Sequence, residues 1–273
     1  VAKDPTGKLR SHKLLSSNPE RYNDAAAQGI RDLMGLADGE VIPDGAIKAV
    51  KMGTTVATNA LLERKGEPVL LLITQGFKDL LRIGYQTRPD LFALHIKRPD
   101  LLYQEAVETT GRLDAKGAEI TPLDEAALRT ALQGAYDTGL RAVAIAFMHA
   151  YLNPAHEVRA AKIARDIGFT QVSTSSDVSR LAKLVSRADT TVVDAYLSPI
   201  LRRYVDQVAS ALRLGQACEC LMFMQSSGGL TDAQNFQGRD SILSGPAGGI
   251  VGMVRTGAAS GLDRLIGFDM GGT

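Results

Sequence analysis

The stretch LIGFDMGGT at 265–273 holds the residue types best suited to chemistry. Leu265 to Phe268 form a short apolar run that predicts a buried strand. Asp269 follows, then Gly271, Gly272 and Thr273. A carboxylate at a strand end, followed by two glycines and a hydroxyl, suits a phosphate-binding turn. The glycines let backbone N–H groups approach phosphate oxygens with no Cβ in the way. Asp269 can hold Mg²⁺, directly or through water, and Thr273 adds a hydroxyl donor. The plainer alternative is a glycine-rich hairpin.

Three more turns of this composition occur: Gly53-Thr54-Thr55, Ser226-Ser227-Gly228-Gly229, and Ser244-Gly245-Pro246-Ala247-Gly248-Gly249. The first two follow apolar strands and the third opens a helix. Ligands gather at the carboxyl ends of strands in open α/β sheets, and helix N-termini favour anions. Four such turns in one chain point to a large anionic ligand such as ATP. Around Gly53, the side chains of Thr54, Thr55, Thr58 and Asn59 form either a helix cap or a polar pocket for a small polar ligand. His149 ends an apolar strand and precedes Tyr151, Asn153 and His156-Glu157, which reads first as a capping and turn network. Arg82, Arg88 and Arg98 could hold a carboxylate by a two-pronged contact, or be solvated. No Ser/His/Asp arrangement, H-E-x-x-H or Walker lysine motif is present.

The elements that must position these residues alternate. A hairpin runs from Val1 through Pro5-Thr6-Gly7 to a strand over 9–15. Ser17 or Asn18, with Pro19 behind it, is expected to cap a helix carrying Ala26, Ile30, Leu33 and Met34. Strands are expected at 47–52, 69–74, 142–148, 171–174 and 221–224. Helices are expected at 57–64, 123–140 and 154–167, the last closed by Gly168. The section 76–122 reads as an insertion or lobe around a site. Helical periodicity over 186–214 is expected to break at Ser198-Pro199. The alternation predicts an α/β architecture, with a domain boundary near Ser179.

The 273 residues are 45% hydrophobic and 22% charged, the balance of a water-soluble globular chain. Lys and Arg total 31 against 30 for Asp and Glu, so no basic excess exists to neutralise nucleic acid. No apolar run is long enough to span a membrane. The two cysteines, Cys218 and Cys220, are expected on one face of a strand, as reduced thiols in a cytoplasmic protein. The chain opens on Val1 and stops at Thr273, which reads as an internal piece of a longer protein, cut through a nucleotide loop.

GTTVATNALLERKG at 53–66 and QGFKDLLRIGYQTRPDLF at 75–92 resemble the hydantoinase A / 5-oxoprolinase family. The match continues through SRADTTVVDAYLSPILRRYV at 186–205, MQSSGGL at 224–230, LSGPAGGIVG at 243–252 and FDMGGT at 268–273. The resemblance implies an actin-like ATPase (ribonuclease H-like) fold, truncated at both ends. Residues 1–178 would be the N-terminal domain lacking its first phosphate loop. Residues 179–273 would start the second domain and stop within its phosphate loop. It implies ATP-dependent opening of a cyclic amide of the 5-oxoproline or hydantoin type, by phosphorylation of the amide oxygen. In that scheme Asp269 is the metal-associated or water-orienting carboxylate. Gly271, Gly272 and Thr273 cradle phosphate. Ser244, Gly245, Gly248 and Gly249 line the nucleotide cleft, and Gly53, Thr54, Thr55, Thr58 and Asn59 serve the substrate. ATP and Mg²⁺ are the implied co-substrate and metal; the implied partners are a small cyclic amide, a hydantoinase B-type subunit or domain, and a second copy in a homo-oligomer. One departure is GRLD at 111–114, where many relatives carry an acidic E-x-D-E-R stretch, and it bears on substrate class more than on fold.

Two rival readings stay open. An ATP-dependent ketone carboxylase subunit resembles the same family. A non-catalytic nucleotide-binding module would keep the turns and lose the chemistry. The 273-residue piece alone is expected to be inactive, because phosphoryl transfer needs both sides of the phosphate held.

Overall fold

The structure is a computed structural model and describes residues 1–15, 18–37, 39–87, 90–96 and 98–268. Eleven strands, nine α-helices and one 3₁₀ turn (Ala233–Asn235) occur among the described residues. In chain order the first are β1 (Ala2–Lys3), β2 (Leu9–Arg10), α1 (Ala25–Met34), β3 (Val50–Met52), α2 (Val56–Leu62), β4 (Val69–Thr74) and α3 (Leu80–Ile83). Then come β5 (Tyr103–Thr109), β6 (Arg112–Leu113), β7 (Glu119–Thr121), α4 (Glu125–Asp137), β8 (Ala142–Ala146), α5 (Ala155–Ile167), β9 (Gln171–Thr174) and α6 (Ser175–Val178). The long α7 (Leu184–Ala211) precedes β10 (Leu221–Met224), β11 (Leu230–Asp232), α8 (Gly238–Ser241) and α9 (Ser244–Ala259). Two compact units result: 57–201 with 237–242, and 1–56 with 202–236 and 243–273.

The unit built mainly from 57–201 holds a four-stranded sheet in the order β5-β4-β8-β9, parallel throughout. All six residues of β4 are buried, as its unbroken apolar sequence demands of a central parallel strand. The period-2 alternation sorts its side chains. Leu70 and Leu72, with Val143 and Ile145 of β8, pack against Leu128, Leu132, Ala160 and Ala164 of α4 and α5. Val69, Leu71 and Ile73, with Ala142 and Ala144, meet Ala57 and Ala60 of α2 and Val192, Ala195 and Leu197 of α7. Helices therefore cover both faces, the α/β arrangement expected. Asp124 caps α4 by accepting from Ala127 N at 3.0 Å, and Gly168 ends α5 at φ 119°.

The other unit has a smaller sheet, β11-β10-β3, with β10 and β3 parallel. Phe223 of β10 is fully buried and stacks on Phe236 at 4.9 Å between centroids, with Tyr204 edge-on at 6.4 Å. The β1–β2 hairpin is present, but its second strand is only two residues long.

Several expectations are corrected. Ser17 lies outside the described residues; Asn18 begins a turn, and α1 starts seven residues later. Its cap is Asp24, whose Oδ1 accepts from Ala27 N at 2.7 Å. The third strand is shorter than expected, with Ile47 contributing only an isolated bridge to Cys218. The 76–122 section contains β5, an edge strand of the main sheet, and the β6–β7 hairpin. YQEAVET in β5 carries too many polar residues to read as a buried strand, because an edge strand buries less. Helix α7 runs unbroken through Pro199. The lost backbone bond is outweighed by burial on both sides of the proline, at Leu197 and Leu201, and by the Ser198 hydroxyl, which bonds Asp194 and accepts from Gly238 N. Leu265 to Phe268 form no strand, since no neighbouring strand is there to pair with them among the described residues; Ile266 and Phe268 are exposed. Cys218 and Cys220 precede β10 rather than sharing a face of it, and both are free thiols.

Candidate functional site

Strand β3 delivers the chain to Gly53, where the sequence turns before α2. Thr54 is buried and its Oγ1 accepts from Val56 N at 3.2 Å, a turn bond just ahead of α2. The same hydroxyl bonds Tyr204 on α7. Burial pushes the Tyr204 phenol up to about 12; the nearby Asp24 charge adds to this, and the Thr54 bond opposes it.

Helix α9 begins beside this turn. Ser244 is fully buried, and its hydroxyl donates to the Thr54 carbonyl at 2.8 Å. The residue before it, Leu243, donates its N–H to Ser226 Oγ at 3.0 Å. Ser226 lies in the β10–β11 hairpin, closed by Gln225 N to Gly229 O at 2.8 Å. The structure thus brings three of the four glycine-rich turns together within one unit. The fourth, at Asp269, Gly271, Gly272 and Thr273, lies outside the described residues.

Two of these turns, at Gly53 and Ser244, line a cavity of about 520 Å³, a size ordinary for a ligand pocket, and Met224 and Leu230, which flank the Ser226 turn, border it as well. Gly53, Thr54 and Thr55 form one wall, and Ser244, Gly245 and Gly248 another. Met224, Leu230, Met52 and Lys51 complete it; sequence reasoning missed these four. The missed signal was position: Lys51 and Met52 end the strand that carries the Gly53 turn. Gly249 is exposed on α9 and does not line the cavity. Thr58 and Asn59 belong to the other unit. There Thr58 Oγ1 donates to Ile242 O at 2.6 Å, and Asn59 sits half-buried in α2.

The glycines of α9 are informative because the fold does not require them. Added Cβ atoms at Gly245 and Gly248 would meet only Thr55 Cγ2 at 3.6 Å and Met224 Cγ at 3.7 Å. At Gly249 and Gly252 they would meet nothing within 4 Å. Each glycine costs a helix interior about 0.5–1 kcal/mol relative to alanine. Only Gly257 has a packing reason, since Leu265 would collide with any side chain there.

In the other unit, Arg82 and Arg98 line one groove of about 1220 Å³ together with Arg64, Arg239 and Asp189. Arg88 lies outside the described residues. His149 makes the expected turn, its carbonyl accepting from Leu152 N at 2.9 Å; its backbone is left-handed at φ 62° and its Nδ1 is buried without a partner. Glu157, Ser175 and Arg187, all fully buried, form a network in which Ser175 Oγ donates to Glu157 at 2.6 Å and accepts from Arg187 Nε at 2.9 Å. This ties α5, α6 and α7 together. No cluster of three or more metal-ligating side chains occurs among the described residues. No described helix is long and apolar enough to cross a membrane.

One unit is an α/β sheet covered by helices on both faces, and the other gathers glycine-rich turns near a cavity. Comparison with known proteins gives the family. Residues 1–168 match the hydantoinase/oxoprolinase N-terminal region and residues 187–273 match hydantoinase/oxoprolinase; the chain belongs to that family. It is 41% identical to 5-oxoprolinase 1 of Arabidopsis thaliana over 289 residues, covering 96% of this chain and 23% of that protein. Caprolactamase subunit alpha of Pseudomonas jessenii is 34% identical over 260 residues, 89% of this chain and 36% of that protein. The crystal structure of the ATP-dependent caprolactamase from the same organism superposes with a TM-score of 0.78 at 32% identity, covering 94% of this chain and 38% of that one. A nucleotide-free acetone carboxylase structure shares the fold at a TM-score of 0.73 and 21% identity, over 87% of this chain and 35% of that one. The fold is the actin-like ATPase type expected. The chain spans about a quarter of the length of the 5-oxoprolinases it matches.

Proposed function

We propose that the full-length protein opens a cyclic amide at the expense of ATP, and that the cavity beside Gly53 and Ser244 is where the phosphoryl group meets the amide. The observation that carries this reading is that the turn assigned to substrate and the helix start assigned to nucleotide line one cavity. The relatives support the reaction class, since 5-oxoproline and caprolactam are both cyclic amides.

An unstrained lactam is a poor electrophile. Attack of its oxygen on the terminal phosphorus of ATP forms a new P–O bond and breaks the bond to the ADP oxygen. The amide N–H proton leaves to solvent. Water then adds to the activated imidate carbon, the ring C–N bond breaks as the nitrogen takes up a proton, and a second water hydrolyses the resulting acyl phosphate to give the ring-opened amino acid and phosphate. The protein's part is positioning and charge neutralisation. Ser244 fixes the start of α9 against Thr54, so the Gly245 backbone is held beside the cavity. Gly53, Gly245 and Gly248 are assigned to close approach of the ligand and the Thr55 hydroxyl to orienting it. Asp269 is assigned to Mg²⁺, which supplies charge compensation on phosphate oxygens, and Gly271, Gly272 and Thr273 are assigned to the phosphate itself. A B-type subunit or domain completes the enzyme; the subunit naming of the caprolactamase relative supports this. Residues 1–178 and 179–273 are assigned to two domains, a division supported by the family matches over 1–168 and 187–273, and the cytoplasm is assigned as the compartment.

The test uses the full-length protein with its B-type partner. ADP release is measured with 5-oxoproline, a hydantoin or caprolactam, and with acetone or acetophenone. The expected result is lactam-dependent ADP release matched by ring-opened product. Ketone-dependent ADP release with a carboxylated product would replace this reading with the carboxylase. ATP binding without turnover on any of them would replace it with the non-catalytic module.

A further inference from the structure

Among the described residues the cavity beside Gly53 has one charged residue on its lining, Lys51. Among the described residues no carboxylate shares that lining, and the Lys51 ammonium has no ion-pair partner. The backbone beneath it is fixed: Lys51 stands opposite Met222 in the parallel β3–β10 pairing, and Val50 N donates to Cys220 O at 2.8 Å. A cation without an ion-pair partner among the described residues thus stands two residues before Gly53, on a cavity whose lining also includes Gly53, Gly245 and Gly248. That combination calls for an anion. A planar carboxylate is best matched by the two-pronged arginine fork. A tetrahedral phosphoryl group suits the compact charge of an ammonium with several rotatable donors.

We propose that Lys51 contacts the terminal phosphoryl group of ATP and neutralises the charge that spreads over its oxygens during transfer. This rests on the reading of the cavity given above. It makes Lys51 a catalytic residue for the phosphoryl step and separates ATP from ADP at the same point, because ADP has no terminal group for the ammonium to reach.

Lys51→Met and Lys51→Arg in the full-length protein test the proposal. Lys51 is exposed, so the melting temperature of both variants should match the wild type. In Lys51→Met, kcat should fall by about two orders of magnitude or more, while ADP affinity stays within about threefold; Lys51→Arg should recover much of the loss. Calorimetric titration should show the wild type binding ATP more tightly than ADP, and Lys51→Met losing that preference. Unchanged kcat in Lys51→Met would overturn the proposal. A defect confined to KM for 5-oxoproline, absent with the carboxylate-free caprolactam, would also overturn it and assign Lys51 to a substrate carboxylate. If no lactam drives turnover, the functional reading fails, and the ATP-over-ADP preference still decides the role of Lys51.

Discussion

The Ser244 hydroxyl donates to the Thr54 carbonyl at 2.8 Å, across 190 residues of sequence. This one bond pins the start of α9 to the Gly53 turn, and both ends of it are buried. It joins the two sequence stretches that the family resemblance assigns to different ligands.

Ser244→Ala leaves a buried carbonyl without its donor. Such a group costs about 1–3 kcal/mol. The expected outcome is a loss of that size in urea unfolding, together with reduced kcat as the cavity wall loosens. Unchanged stability would mean that water replaces the hydroxyl and that the contact does not hold the site.

Gly248 and Gly252 lie on the same helix, yet only Gly248 lines the cavity. Each alanine substitution should stabilise the helix by roughly 0.5–1 kcal/mol, since neither new Cβ meets an obstacle. Gly248→Ala should also lower ATP-dependent turnover, and Gly252→Ala should leave it intact. Melting temperature and kinetics on the same samples check both halves; equal kinetics in the two variants would detach Gly248 from the ligand.

Thr55 and Thr58 separate in the same way. Thr58 Oγ1 donates to Ile242 O at 2.6 Å, so Thr58→Val should cost about 1 kcal/mol of stability. Thr55 is exposed and lines the cavity. Thr55→Val should keep its melting temperature and lose kcat/KM for the cyclic amide. A fall in stability without a change in kcat/KM would make Thr55 scaffold.

Tyr204 gives the pH dependence. Its folded pKa is raised from 10.0 to about 12, so its contribution is fully present below pH 10. Between these values the unfolded chain releases the proton while the folded chain keeps it, and stability falls as pH rises. Tyr204→Phe should flatten this alkaline decline in urea midpoints measured across that window. Parallel curves for the two proteins would show that the phenol keeps its ordinary pKa.

The central sheet and its covering helices were legible in the sequence because burial there is one-dimensional. A strand such as VLLLIT at 69–74 must be apolar on both faces, and Gly168 must end its helix, wherever the rest of the chain goes. The glycine-rich turns were equally visible, since backbone freedom is a property of residue type. What the sequence could not decide was which of those turns meet. Ser244 and Thr54 are neighbours because β3 and β10 pair in parallel, which puts the Gly53 turn beside the Ser226 turn, and Leu243 is hydrogen-bonded to Ser226. The same pairing puts Lys51 on the cavity, although a lysine on a short strand reads as an ordinary solvated charge. The edge strand β5 was hidden because its polar residues satisfy one open face. Pro199 read as a break because the burial of Leu197 and Leu201 and the hydrogen bonds of Ser198 are contributed by distant parts of the chain. Local residue chemistry fixed the elements, and the non-local hydrogen bonds and packing that the tertiary fold supplies decided which of them form the site.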